Sequence, residues 1–520
     1  MKQNKKVNFE EMELIILRQA VDKIEKKLGY KQINNPEIKE IILIVEDFLK
    51  KTKRICYGGT AINNILPLED QFYDKSIELP DYDFYSPDPL NDAKKLANIY
   101  YKKGFDEVEA KAGAHEGTFK VFVNFMPVAD ITFCPKKLFN MIDKEAVVID
   151  RIKYCSADFL RMNMYLELSR PNGDTSRWEK VLKRLTLLNK NYPLKGRDCD
   201  FEDIQRLFQY GTQKKIVKDE KKTIKSKNNS TVKSKTGSKT VSKTGSKLNT
   251  KMTLKKEDNY LDTIEEEIFK VIFNSIIDNG CVFLGAFANR MYLRKLRSLK
   301  NKKIPMIPDF DILAEDPERM ANVLKERLTT LNIKNISIVK QKGIGEIISP
   351  HYELKVGPET IVFIYKPAAC HSYNNVYFNK RKMRIATIDT MLSFYLAFLF
   401  ADRVYYDKNR ILCMSEFLFK VQQKNRLKQR GLLKRFSIDC YGEQLTREKM
   451  RAQKSDKYKE LKNSKKSKEY EWWFLRYVPR ENKKLNKTRK KIITTSKTKT
   501  RKRKSKGKTK KSNFLSMLFS

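Results

Sequence analysis

Residues 9 to 28 place Met12, Leu14, Ile15, Ile16, Ala20, Val21, Ile24 and Leu28 at helical spacing. The same period recurs from 36 to 50, where Pro36 suits a first helical turn. A short strand-like piece then runs into Gly58-Gly59-Thr60, and a helix-like run, Ala61-Ile62-Asn63-Asn64-Ile65-Leu66, follows. Two later segments alternate residue by residue. In Leu79-Pro80-Asp81-Tyr82-Asp83-Phe84, Tyr82 and Phe84 share one strand face while Asp81 and Asp83 share the other. In Val128-Ala129-Asp130-Ile131-Thr132-Phe133, the apolar residues turn inward and Asp130 turns away from them.

A similar series starts again in the second half of the chain. A predicted helix from Asp262 to Asp278 is closed by Asn279-Gly280, and the strand-like Cys281-Val282-Phe283-Leu284 leads into Gly285-Ala286-Phe287. Asp309-Phe310-Asp311 follows at a spacing close to that between Gly59 and Asp81. Ser156-Ala157-Asp158 has a counterpart in Thr387-Ile388-Asp389, and His115 and His351 fall in similar places. The series predicts a duplication. With Pro135 and Pro367 taken as equivalent, Val362 stands where Asp130 would be, and Ala286-Phe287 replaces the second glycine and the threonine. The second copy is therefore expected to be degenerate, with Asp309 and Asp311 kept as packing or salt-bridge residues. The isolated His115, His351 and His371 are expected to be structural.

Composition divides the chain further. Of 520 residues, 108 are Lys or Arg against 63 Asp or Glu, a formal charge of +45. Between Lys214 and Lys256, fifteen lysines face only Asp219 and Glu220, and Ser-Lys-Thr-Gly-Ser-Lys occurs twice with little apolar to bury. Such a stretch is expected to be a disordered linker. The expected organisation is an N-terminal helical segment (1–50), a first domain (51–213), the linker (214–256), a second domain (257–480) and a disordered basic tail (481–520). The excess charge suits a polyanion, with nucleic acid ahead of an acidic membrane surface. Eight scattered cysteines without a C-x-x-C pair predict neither a zinc site nor a disulfide framework. The start of the chain has no signal-peptide pattern, and no apolar run reaches bilayer length. A soluble intracellular protein in a reducing compartment is expected. The apolar Phe514-Leu515-Ser516-Met517-Leu518-Phe519 is too short to span a membrane but long enough to dock on a partner.

Two carboxylates close together need a cation between them, or one must take up a proton. Hard oxygen ligands of this kind suit Mg²⁺ or Mn²⁺. Three carboxylates, Asp81, Asp83 and Asp130, from two neighbouring strands are enough to hold two ions. The glycines at 58 and 59 let a backbone approach phosphate oxygens at a helix N-terminus, where the Thr60 hydroxyl could add a hydrogen bond.

Gly-Gly-Thr, then D-x-D, then a distal Asp resembles the signature of the polymerase-β-like nucleotidyltransferase superfamily. More narrowly, the chain resembles poly(A) polymerase catalytic subunits of large nucleocytoplasmic DNA viruses, of the poxvirus and giant-virus kind. That resemblance rests on Cys56 to Asn63, Leu79 to Ser86, Tyr165 to Pro171, Arg177 to Val181 and Asn191 to Leu194. It implies an α+β fold of two tandem nucleotidyltransferase domains, the second degenerate. Asp81, Asp83 and Asp130 would then be the metal ligands and catalytic residues. Gly58, Gly59 and Thr60 would hold the triphosphate, and Ser169, Arg177 and Lys180 would be further ATP contacts. The implied reaction adds AMP from ATP to an RNA 3′ end without a template, with two Mg²⁺ or Mn²⁺ ions, ATP and RNA as its partners and no membrane. A homodimer and a viral processivity partner both stay open. The implied setting is the host cytoplasm, or the virion; Arg501-Lys502-Arg503-Lys504 could instead be read as a nuclear signal. The metal ligands alone leave open a tRNA 3′-end adder, a uridylyltransferase or an oligoadenylate synthetase. A non-catalytic RNA-binding scaffold is the remaining alternative.

Overall fold

A computed structural model describes residues 9–199, 266–295 and 309–481, less positions 75, 294, 379, 402, 404 and 405. The expected linker, the tail beyond 481 and its apolar end lie outside the described residues. Helix α1 (Phe9–Ile33) keeps its apolar side chains exposed. The amphipathic α2 (Pro36–Thr52) starts at an Asn35 cap and buries Ile41, Ile44, Val45, Phe48 and Leu49.

In the first half, β1 (Ile55–Tyr57) enters α3 (Gly58–Ile65) with no connecting residue, and β2 (Tyr82–Ser86) returns beside it. After α4 (Pro89–Lys102) come β3 (Val108–Ala112), β4 (Thr118–Val123) and β5 (Met126–Phe133), then α5 (Lys136–Lys144), β6 (Val147–Ile149) and β7 (Ile152–Tyr154). Two helices close the half, α6 (Ala157–Leu168) and α7 (Trp178–Asn191). Alternation works as expected in β2, where Tyr82, Phe84 and Ser86 are buried and Asp83 and Tyr85 are only partly so.

A helix over 266–278, here α8, opens the second half. It is followed by β8 (Val282–Leu284), α9 (Gly285–Leu293), β9 (Phe310–Leu313), α10 (Pro317–Thr330), β10 (Ile336–Gln341), β11 (His351–Val356) and β12 (Glu359–Tyr365). Then come β13 (His371–Phe378), β14 (Arg381–Ala386), α11 (Ile388–Phe398), α12 (Lys408–Asn425) and β15 (Cys440–Tyr441). The last described elements are α13 (Arg447–Leu461), α14 (Lys468–Phe474) and β16 (Arg476–Tyr477).

The two sheets have the same plan. The first runs β16-β3-β4-β5-β2-β1-β7-β6 and the second β10-β11-β12-β9-β8-β14-β13-β15. Without β16 and β15, each strand of one sheet has its counterpart at the same place in the other. The pairings agree too: β2 with β5 and β9 with β12 are parallel, as are β1 with β7 and β8 with β14. The duplication read from scattered motifs is thus present in the strand order. The halves meet through equivalent helices, α6 against α11. Phe159 of α6 packs edge-on against Phe400 at 5.0 Å, and the Ser372 amide donates to the Ser169 carbonyl at 2.8 Å.

Two features depart from expectation. The segment after α13, expected in the second domain, returns to the first: β16 pairs with β3, and Trp472 packs on Phe119 and Phe133. Burial of that indole supplies the reason. The cysteines also form two disulfides, Cys199–Cys413 and Cys370–Cys440, with Cα separations of 5.5 and 5.1 Å. Their partners lie 214 and 70 residues apart in sequence, so no local spacing could announce them.

Candidate active site

The turn from β1 into α3 requires glycine. Gly58 has φ +75°, and a Cβ there would lie 2.5 Å from Oδ2 of Asp83. The Asp83 carboxylate therefore sits directly against the first turn of α3. Register brings the second carboxylate beside it, because Asp83 and Asp130 are paired residues of the parallel strands β2 and β5. Asp81 lies one residue ahead of β2 and is exposed at the mouth of the site, so it stands just outside the strand that the alternation suggested. The Thr60 hydroxyl donates to the Asp81 carbonyl at 2.7 Å and is buried. It ties α3 to the acidic strand, and that proton is not directed at a phosphate.

The acidic side chains repel one another. Burial, then the neighbouring Asp81 and Asp130, push the Asp83 carboxyl up to about 7, against a smaller lowering by Lys120 and Arg177. Asp81 is raised by desolvation and by Asp130, while Lys120 and Lys180 act the other way. Lys120, opposite Asp130 on β4, forms an ion pair with it. That ammonium is a cation already drawn to the carboxylates. With the side chains so placed, no group of three His, Cys, Asp or Glu among the described residues is gathered around one point as a metal cage.

The carried-over ATP contacts separate. Ser169 is fully buried at the junction of the halves, and its hydroxyl donates to the Leu166 carbonyl at 2.9 Å. It does not reach the carboxylates, because α6 ends there and turns its last residues toward the second half. Arg177 lies 3.2 Å from Glu167 and is close enough to Asp83 to lower its pKa. Lys180 is held below its usual pKa, first by Arg184 and then by desolvation and Arg177, and it sits near enough to Asp81 and Glu78 to be partly compensated. Arg177, Lys180 and Arg184 recur at helical spacing along the start and one face of α7.

Sequence reading missed five side chains. Lys120 is opposite Asp130. Arg184 donates to the Tyr73 hydroxyl at 2.6 Å and lies over the Phe72 ring at 4.7 Å. The Asn63 side chain accepts from the amides of Phe72 and Tyr73 at 2.8 and 2.9 Å, fixing that loop to α3. The spacing of Arg184 from Lys180 was a usable signal; the pairing of Asn63 with the loop carried none in sequence.

The second half keeps the frame and has lost the chemistry. Leu284 pairs with Asp311 as Tyr57 pairs with Asp83, and Gly285 has φ +60° against the Asp311 carboxylate. Register corrects the expected equivalence, however: Asp311 pairs with Phe363, so Phe363 and not Val362 stands at the position of Asp130. The proline-based alignment slipped by one residue, which in a strand exchanges faces. By the same register Glu353 replaces Lys120, His351 replaces Thr118 and Tyr365 replaces Thr132. Rings fill the space, with Tyr365 at 4.7 Å from His351 and 6.0 Å from Phe394. Asp311 is fully buried, its carboxyl raised well above the usual range by burial and by Asp309. His351 and His371 are buried, and burial lowers them to about 4 and about 3. Neutral, enclosed rings agree with structural roles; His115 is exposed in a turn.

Residues 43–174 match the family model described as poly(A) polymerase catalytic subunit. A protein of Acanthamoeba polyphaga mimivirus assigned as such a subunit is 36% identical over 166 residues, 31% of this chain and 28% of its own length. A corresponding protein of African swine fever virus (strain Badajoz 1971) is 34% identical over 170 residues, 32% of this chain and 35% of its own length. The matched region thus spans only about a third of these relatives. In three dimensions the chain resembles Megavirus polyadenylate synthase, with TM-score 0.63 and 22% identity over 92% of this chain and 87% of that one. Over residues 43–174 the first half is thus similar to poly(A) polymerase catalytic subunits, and the chain as a whole has the α+β fold seen in Megavirus polyadenylate synthase.

Proposed function

We propose that this chain is a template-independent poly(A) polymerase that transfers AMP from ATP to the 3′ end of RNA. The observation that carries the reading is the pairing of Asp83 with Asp130 on parallel strands, with the Gly58 turn pressed against Asp83. Its sequence context, residues 43–174, is the stretch that matches the poly(A) polymerase catalytic subunit family.

The donor set fits divalent metal. Burial, with its acidic neighbours, raises the Asp83 carboxyl, and Asp130 has already attracted an ammonium group. Asp81, Asp83 and Asp130 would hold Mg²⁺ or Mn²⁺ in place of these compensations. Bound there, two ions supply a lowered pKa for the primer hydroxyl and charge neutralisation for the leaving pyrophosphate. The protein's own part is orientation. The backbone amides at Gly58 and Gly59 face the phosphates, and the basic row along α7 offsets their charge. In this reading Asp130 would serve the ion on the side of the attacking 3′ hydroxyl. RNA is expected along basic surface between the halves, with the second half as a structural and RNA-binding partner. The expected setting is infected-cell cytoplasm or the virion. Among the described residues no helix is long and apolar enough to cross a membrane.

Incubation with a labelled RNA and each NTP in turn tests the reading. Extension by ATP alone supports it. Preference for UTP, addition of a short CCA end, or primer-free oligoadenylate would each assign a different transferase.

A further inference from the structure

We infer that Arg184, braced by Tyr73 and Phe72, is a triphosphate-binding residue that grips the β- and γ-phosphate end of the incoming nucleotide. This rests on the nucleotidyltransferase reading of the same site and extends it to a helix beyond the residues that match the family model.

The argument starts at Gly59. A Cβ added there would collide with the Tyr73 hydroxyl and would lie 3.0 and 3.1 Å from the two terminal nitrogens of Arg184. The glycine turn is thus flanked by the Asp83 carboxylate at Gly58 and by a guanidinium at Gly59. A nucleotide whose phosphates cross that turn reaches metal ligands at one end and a fixed cation at the other.

Arg184 is held in place and is not neutralised. Its guanidinium donates to the Tyr73 phenol, and its plane is supported by Phe72 and Tyr73, at 4.7 and 5.4 Å from their ring centres. No carboxylate lies within ion-pair distance of it among the described residues. Lys180 is close enough for Arg184 to be the leading cause of its lowered pKa. Two cations kept near each other, on the same helix face and beside a glycine turn, are relieved by a multiply charged anion. The guanidinium fork suits two phosphate oxygens at once, whereas Lys180 offers only a point charge. Tyr73 acts through Arg184 as a positioning residue, and Asn63 sets Tyr73 in turn by accepting from its backbone amide.

Equilibrium binding of ATP, ADP and AMP to the full chain, with Mg²⁺ at fixed salt, tests this. Arg184→Ala is expected to weaken ATP about 10- to 100-fold and to leave AMP within about twofold. Arg184→Lys should recover part of the loss, and Tyr73→Phe should reproduce part of it. In extension assays KM for ATP should rise more than kcat falls. Thermal unfolding of each variant near the parent's midpoint would show that the fold is kept. Unchanged ATP affinity in Arg184→Ala, or an equal loss for ATP and AMP, would overturn the inference. If the parent binds ATP in this phosphate-dependent way yet extends no RNA, the polymerase reading falls and the role of Arg184 stands.

Discussion

Gly58 and Asp83 constrain each other closely. The positive φ and the 2.5 Å approach leave no room for a methyl group. Gly58→Ala should therefore move the carboxylate and lower extension by about 100-fold, the size of effect an ångström of misplacement has on catalysis. A screen of kcat against that of the parent reads this directly. Asp83→Asn should abolish extension and remove a charge repulsion, so its unfolding midpoint without divalent ions should equal or exceed the parent's. Mn²⁺ should raise the parent's midpoint and not that of Asp83→Asn; an equal rise in both would remove Asp83 from the metal site. The places of Asp83, Asp130 and the glycine turn were legible because strand alternation and glycine turns are local, whereas Asp81 falls just outside the strand that the alternation suggested. Tyr73 was not legible, because it meets Arg184 only after segments 111 residues apart have come together; Lys120 and Arg184 left weaker signals, a place opposite Asp130 on the next strand and a helical spacing from Lys180. Ser169 misled for the opposite reason: a motif carried it, and α6 buries it.

Strand order and helix packing tie the second copy, which has Phe363 in the place of Asp130, to the first. Each copy buries one of its closing helices, α6 or α11, against the other, so each completes its partner's core. The Phe159–Phe400 contact lies in that seam, and Phe159→Ala should cost about 3–5 kcal/mol of stability, read by denaturant midpoint. His371 lies in the same region, beside Phe394 and near Arg170. Its folded pKa of about 3 is below the ordinary 6.5. Folding therefore excludes a proton that the unfolded chain binds below 6.5, so its contribution is complete above that pH and is lost as pH falls toward 3. His351 acts in the same direction, toward about 4. The raised carboxyls of Asp83 and Asp311 act in the opposite direction over the same range, so the comparison with His371→Phe isolates the ring: between pH 6.5 and pH 4.5 the parent should lose about 2 kcal/mol more than that variant. The repeated elements were legible from the glycine and D-x-D spacing. Their exact register was not, since Val362 and Phe363 are both apolar and only pairing with Asp311 distinguishes them.

The chain crosses between its halves more than once. Segment 194–199 docks on α12 through Gly196, Arg197 and the Cys199–Cys413 disulfide, and β16 returns to the first sheet after the second half is complete. The halves are thereby fastened at both ends, and reduction of the disulfides should lower the midpoint of unfolding without abolishing extension. Composition could not foresee this fastening, because cysteines so distant in sequence carry no spacing signal. Charge was plainly legible, and it predicts behaviour with RNA: affinity should fall linearly in log salt. Deletion of 482–520 should shorten products at moderate salt and leave single AMP additions largely intact. The most direct test of the account is primer extension by the full chain with Mg²⁺ or Mn²⁺ and each NTP alone, beside the Asp81→Ala/Asp83→Ala variant. The account predicts long ladders with ATP only, and none from the variant. Equal extension by the variant, or RNA binding without extension by any NTP, would contradict it.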